Sequence, residues 1–176
     1  TAKHIAFELN GEFPPSYKEL LKLKGVGEYT AAAIASFSYN EPVAVLDGNV
    51  FRVLSRYFNV ESDISLPKTK TEFQQLAQEV LDKKSPAVFN QAIMEFGALQ
   101  CVPKNPDCNS CVLNSSCAAL QYKKVSELPV KSKKTKVTNR YLNYLILKDS
   151  DSNYIVQKRE GKGIWENLYE FPVLET

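Results

Sequence analysis

Apolar residues recur at helical spacing through most of the first 122 positions. Val50, Val53, Leu54, Tyr57 and Phe58 form one stripe, Phe73, Leu76, Ala77, Val80 and Leu81 a second, and Phe89, Ala92, Ile93 and Phe96 a third. Each predicts a helix with one face on a shared core. Ser16 and Glu19 have the spacing of a capping box, in which serine oxygen and glutamate carboxylate satisfy free amides at a helix start. That helix is expected to end at Gly25, and helices to persist to about Tyr122.

The pattern then dissolves. Lys123 to Lys136, "KKVSELPVKSKKTK", carries six lysines against a single acid and no helical stripe. It reads as a solvated basic linker over 123–139, a tether that could also lie along a phosphate backbone. Beyond it the period changes: Tyr141–Lys148 and Asn153–Arg159 are aromatic and β-branched runs separated by "DSDS", which predicts two strands joined by a turn. The expected organisation is mainly α: a helical domain over 1–122, the linker, and the start of an α/β domain over 140–176. Only 37 residues run from Arg140 to Thr176. Chains below about 40 residues seldom hold a fold without staples, so this half is expected to be incomplete and the chain a piece of a longer protein.

Composition narrows the class. With 44% hydrophobic and 24% charged residues, the chain has enough apolar material for a core and is not a disordered segment. No run approaches the roughly 18 apolar residues of a membrane span, and the first residues lack the charged-then-apolar order of a secretion signal. A cytoplasmic or nuclear monomer with no membrane partner is expected. The net charge of +2 is too small to diagnose a nucleic-acid binder, so that question rests on local geometry.

Three features carry chemistry. Gly25-Val26-Gly27 joins two helical runs, beside Lys22 and Lys24. Glycine permits a tight turn and close approach of another molecule, and the helix expected from Glu28 aims its N-terminus at the same place, which makes an anion site. The plain alternative is a helix corner with a glycine cap. Asp47 stands just before a helix expected to start near Gly48 or Asn49, where it is either an ordinary N-cap or a catalytic carboxylate. Cys101, Cys108, Cys111 and Cys117 are spaced C-x6-C-x2-C-x5-C and are the only cysteines. Disulfides fit poorly without a secretion signal, while a four-thiolate zinc site and a four-iron four-sulfur cluster both stay open on spacing. His4 is the sole histidine, which excludes a histidine triad.

"LKGVGEYT" followed by "VLDGNVFR" resembles the helix-hairpin-helix and aspartate signature of a DNA glycosylase family, in particular its MutY-type adenine glycosylases. The resemblance extends from about Phe13 to Pro172. It implies that the four cysteines hold a 4Fe-4S cluster, as in the endonuclease III and MutY superfamily, and that the enclosed loop, with Lys104, reaches DNA. Lysine follows the hairpin in relatives that also cut the strand, by attacking the sugar carbon. Tyr29 cannot do that, so the resemblance implies a monofunctional enzyme that removes adenine opposite 8-oxoguanine or guanine.

Asp47 would stabilise the oxocarbenium-like sugar or bond to it, with Asn49 and Tyr29 orienting the site. Tyr29 could instead be a helix residue whose hydroxyl merely finds a partner. The family's general acid is an early glutamate expected to precede Thr1, and Glu12, Glu19, Glu28 and Glu41 do not match it, so this stretch alone is expected to catalyse little. "REGKGIWENLYEFP", Arg159 to Pro172, resembles the Nudix-like domain that reads 8-oxoguanine. Trp165 and Tyr169 there are candidate site aromatics or core residues. The remaining alternatives are a thymine or uracil mismatch glycosylase, an endonuclease III-like enzyme, a non-catalytic DNA-binding module, and a zinc-dependent interaction domain.

Overall fold

The computed structural model describes residues 1–132 and 138–176; the linker lysines Lys133, Lys134 and Lys136 lie outside the described residues. Contacts divide the chain into two units, Thr1–Lys133 and Lys134–Thr176.

Helix α1 (Ala2–Glu8) leads to α2 (Tyr17–Leu20), α3 (Glu28–Tyr39) and α4 (Gly48–Phe58). At α2 the Ser16 hydroxyl accepts from the Glu19 amide at 3.4 Å and donates to its carboxylate at 2.9 Å. The capping pair therefore forms, with the carboxylate meeting the hydroxyl. The helix is shorter than its expected reach to Gly25. After Leu20 the chain tightens into three-residue steps, Lys22 to Glu19, Leu23 to Leu20 and Val26 to Leu23, each N–H···O bond spanning 3.0–3.1 Å. Gly25 then turns it at φ +87°, a conformation that costs a side-chain-bearing residue. Ile5, Leu20, Leu23, Ala31 and Ala35 pack beneath this corner. The small alanine face of α3 is what lets the hairpin helices lie close.

Between α3 and α4 runs "EPVAVLD", an extended segment with no strand beside it. The backbone groups around its buried Ala44 and Val45 are satisfied by side chains instead, as buried peptide groups must be. Gln78 accepts from the Ala44 amide at 3.0 Å and donates to Pro42 O at 2.8 Å, while Gln74 donates to Ala44 O at 3.1 Å. Asn90, only 1% exposed, accepts from the Val45 amide at 3.1 Å and donates to Val43 O at 2.9 Å. Three amides thus act as the missing strand and fix the path into Asp47.

Helices α5 (Pro67–Val80) and α6 (Pro86–Leu99) each begin on proline, whose lacking N–H is no loss in a first turn. Ala44, Val50, Leu54, Phe73, Ala77 and Leu81 form the larger core, as the first two apolar stripes predict. The third stripe is covered only in part: Phe89 and Ile93 pack half-buried against this core. The buried residues of α6 are Pro86, Asn90 and Gly97, and Ala92 is exposed. Phe89, Ala92, Ile93 and Phe96 line an open apolar groove against Val53, Leu54 and Tyr57 of α4. Backbone demand, from the extended segment at Asn90 and from α4 at Gly97, decides which side of α6 faces inward.

Helix α7 (Ala118–Gln121) follows the cysteines. The segment from Lys123 was expected to be solvated, yet up to Ser132 it packs on the helical unit, with Leu128 3% exposed. In the second unit β1 (Leu142–Tyr144) pairs antiparallel with β4 (Val173–Glu175), and β2 (Gln157–Lys158) with β3 (Tyr169–Glu170). The two predicted strand runs meet through a Lys148–Tyr154 bridge and the Ile155 amide on Leu147 O at 3.1 Å, with no continuous ladder between them among the described residues. Their "DSDS" turn closes on Asp149, whose carboxylate accepts from the amides of Asp151 and Asn153 and from the Asn153 side chain at 2.8–3.0 Å. That bonding, from Asn153 first, holds the Asp149 carboxyl below its ordinary value. Among the described residues every buried hydrophobic core residue lies between Ile5 and Leu128, whereas Tyr144, Ile155 and Leu174 are exposed.

Candidate active site and cysteine cavity

The amides of Gly25 and Gly27 make no backbone hydrogen bond among the described residues, and both glycines are exposed beside Lys22 and Lys24. A Cβ built on either meets nothing within 4 Å, so the space outside this turn is open. Gly27 is the N-cap of α3, and Glu28 is its first residue. Free amides, a helix N-terminus and two lysines therefore face the same solvent, and Val26 tucks partly into the core below.

Asp47 caps α4. Its Oδ1 accepts from the Val50 amide at 2.8 Å and its Oδ2 from Asn49 Nδ2 at 3.0 Å. The N-cap reading is thus realised, and it does not exhaust the carboxylate: a carboxylate has about four acceptor positions, and Asp47 is only half-buried. Asn49 Oδ1 in turn accepts from Arg52 Nη2 at 2.9 Å. The same guanidinium donates to Gly97 O at 2.6 Å and, through Nε, to Cys101 O at 2.7 Å. Burial lowers the Arg52 pKa from its usual value, and Arg56 adds to that, while Cys101 and Asp47 oppose it. The side chains from Asp47 to Cys101 form one continuous hydrogen-bonded path.

Tyr29 is 48% exposed, and its hydroxyl reaches Met94 Sδ at 3.9 Å, a weak contact. It lines a small cleft with Tyr17, Ala44 and Leu46, the last being the residue before Asp47. The first turn of α3 and the approach to α4 therefore share one opening. Three of the four local glutamates are otherwise engaged: Glu19 with Ser16, Glu28 with Lys70, and Glu41 with the Tyr17 amide at 2.6 Å.

Cys101, Cys108, Cys111 and Cys117 line one cavity and none is in a disulfide. Among the described residues no three metal-binding side chains converge on a single ion. The four sulfurs are near enough to sense one another: burial raises the Cys108 pKa, and Cys101, Cys111 and Cys117 raise it further. Arg56, 3% exposed, donates to Cys101 Sγ at 3.4 Å, Val102 O at 2.8 Å and Pro103 O at 2.9 Å. Lys104 stands exposed at the loop's tip.

Sequence reasoning missed Arg52, Arg56 and Gly97. Arg52 and Arg56, four apart inside "VFRVLSRYF", fall opposite the apolar stripe of the same helix, so the period alone reads them as surface charges, and only the structure shows them buried. A glycine inside the helix "MEFGALQ" marks a close approach.

Residues 8–37 match the helix-hairpin-helix motif family. Over 176 residues the chain is 35% identical to the adenine DNA glycosylase of Buchnera aphidicola subsp. Schizaphis graminum, an alignment covering 100% of this chain and 50% of that protein. The chain thus spans about half the length of that relative. Among solved structures it is similar to a thermostable thymine-DNA glycosylase, with TM-score 0.62 and 29% identity over 69% of this chain and 55% of that one. It is also similar to an endonuclease III in a non-covalent complex with DNA, with TM-score 0.56 and 26% identity over 68% of this chain and 54% of that one. No helix among the described residues is long and apolar enough to cross a membrane.

Proposed function

Because the chain is a homologue of the adenine DNA glycosylases, within the helix-hairpin-helix superfamily, we propose that it belongs to a monofunctional enzyme that removes adenine mispaired with 8-oxoguanine or guanine from double-stranded DNA. The observation that carries this reading is the Asp47 carboxylate, fixed at the start of α4 by the Val50 amide and Asn49, next to the cleft that holds Tyr29. Adenine over thymine is favoured by extent. The adenine glycosylase alignment runs through the whole chain, second unit included, while the thymine glycosylase structure matches 69% of it.

Cleaving the N-glycosidic bond leaves positive charge on the sugar and a purine that needs a proton. A carboxylate preorganised near the sugar stabilises that charge as it develops. Asp47 has this role, and its two fixed hydrogen bonds leave remaining lone pairs for the sugar. Asn49 holds the carboxylate's angle, and Tyr29 shapes the wall of the cleft. Tyrosine has no amine to form a Schiff base, which limits the reaction to base removal. Gly25, Val26 and Gly27, with Lys22, Lys24 and Lys104, grip phosphates, and that binding offsets the cost of taking the base out of the stack. The second unit contributes recognition of 8-oxoguanine.

The four cysteines suit a 4Fe-4S cluster. A cluster takes one thiolate per iron around a shared volume, and four sulfurs lining one cavity suit that arrangement. Cys101, Cys108, Cys111 and Cys117 would hold it, and its contribution when bound is to fix the loop that carries Lys104.

The test is base release by the intact parent protein on duplexes carrying adenine opposite 8-oxoguanine, adenine opposite guanine, and thymine or uracil opposite guanine. Only the adenine duplexes are expected to break after alkali, and to stay whole with Asp47→Asn. Release of thymine or uracil instead would move the assignment to the mismatch glycosylases. No release from any duplex would leave a DNA-binding module.

A further inference from the structure

The segment after α7 does more than leave the helical unit. It turns at Lys123, bonds the Lys124 amide to Ala119 O at 2.8 Å, and brings Val125 into the lining of the cysteine cavity beside Leu120. Leu128 is buried, and its carbonyl accepts from Arg56 Nε at 3.0 Å. One guanidinium therefore holds this segment and the first part of the cysteine loop together. Farther along, the Ile64 amide donates to Val130 O at 2.9 Å. The Asp63 carboxylate accepts from the Ser132 amide at 3.3 Å, while its own turn supplies the Ser65 amide at 2.8 Å and the Ser65 hydroxyl. The Ser132 and Ser65 hydroxyls stand 3.4 Å apart. Lys124 pairs with Glu61 on the same rim.

We propose that Lys124–Ser132 is a latched cover over the cysteine cavity, pinned on the inside by Arg56 and closed at the rim by Asp63, so that opening the latch admits oxidants and chelators to the four thiols. The two fixed points are not equivalent. Arg56 also holds the cysteine loop, so removing it disturbs the site itself. Asp63 is not among the residues that line the cysteine cavity, so its removal spares the cavity walls. The Asp63 carboxyl lies well below the ordinary carboxylate range, because the Ser132 and Ser65 hydroxyls bond its charged form, which is consistent with a latch that stays closed.

The inference rests in part on the cluster reading, and the experiment separates the two. In the full-length protein, Asp63→Ala and Ser132→Glu each open the rim; the second places a like charge against Asp63 from the exposed side of the cover, and so leaves the helical unit intact. Two rates are measured for each: loss of visible cluster absorbance in bathophenanthroline disulfonate, and labelling of the metal-free cysteines by dithionitrobenzoate. Both variants are expected to raise both rates by roughly five- to tenfold, the shift that follows when about one hydrogen bond's net stabilisation leaves the closed state. Glycosylase activity before the challenge is expected to stay unchanged. Rates equal to the parent's in both variants overturn the cover. If the parent holds no iron or sulfide, the cluster reading fails, and the labelling rates alone decide the cover.

Discussion

Gly97 of α6 lies so close to Asn49 of α4 that a Cβ built on the glycine would stand 2.7 Å from the Asn49 Cβ and 3.1 Å from its carbonyl oxygen. The Gly97 carbonyl is also one of the acceptors of Arg52, which holds Asn49 Oδ1. Helix contact and site geometry are thus set at one point.

Gly97→Ala therefore forces α4 and α6 apart at the place where Asn49 is aimed. The overlap is with backbone and Cβ, which cannot rotate away, so a loss of about 1–3 kcal/mol is expected, as for other overpacked sites. Denaturant unfolding of the parent protein checks it, with base release on adenine opposite 8-oxoguanine falling more than stability alone explains.

Asp47→Asn separates the cap from the chemistry. Asparagine is as good an N-cap as aspartate, so thermal stability is expected to change by no more than about 0.5 kcal/mol. The negative charge beside the sugar is gone, and single-turnover base release is expected to fall by roughly a hundredfold or more. Base release and stability both left unchanged would mean that Asp47 is only a cap.

Removing Arg52 leaves Gly97 O, Cys101 O and Asn49 Oδ1 without their donor. Arg52→Met keeps much of the side-chain volume and is expected to cost about 3 kcal/mol, in the range for breaking a buried charged hydrogen-bond set. Arg52→Lys is expected to rescue little, because one ammonium does not reproduce the flat fork that reaches three acceptors. Melting of the two variants beside the parent distinguishes lost bonds from lost volume.

Lys22, Lys24 and Lys104 are exposed cations on two loops. If each meets a phosphate, replacing one by alanine reduces the slope of log affinity against log salt by about 1 and weakens matched and mismatched duplexes alike. Fluorescence anisotropy over a salt series measures this. A change in mismatch preference instead would place that lysine at a base.

Cysteine chemistry gives a direct analytical outcome. Purified parent protein is expected to contain iron and acid-labile sulfide in equal amounts and no stoichiometric zinc. Replacing Cys108 by serine is expected to lower both and to loosen residues 101–117, where much of the backbone lies outside helix and strand. Protease mapping of that stretch reads the loosening.

Much was legible along the chain because it rests on local rules. The capping pair at Ser16, the glycine turn, the cap at Asp47 and the helical period of α4 and α5 each need only neighbours within a few residues. The cysteine spacing and the hairpin-aspartate pair carried the resemblance in the same way. Tertiary structure decided what depends on distant partners. Asn90 is a polar residue in a helix until the extended segment 41–47 arrives and needs a donor and an acceptor, and only then does that face of α6 turn inward. Arg52 and Arg56 look like surface charges until five carbonyls from three other segments surround them. The lysines after Tyr122 suggested a solvated tether, since charge favours water; burial of Leu128 and the Asp63 contact fix the first ten residues, 123–132, against the helices instead. Period and cap are properties of one segment, whereas the satisfaction of a buried polar group is a property of two, and the second segment is found only when the chain has folded.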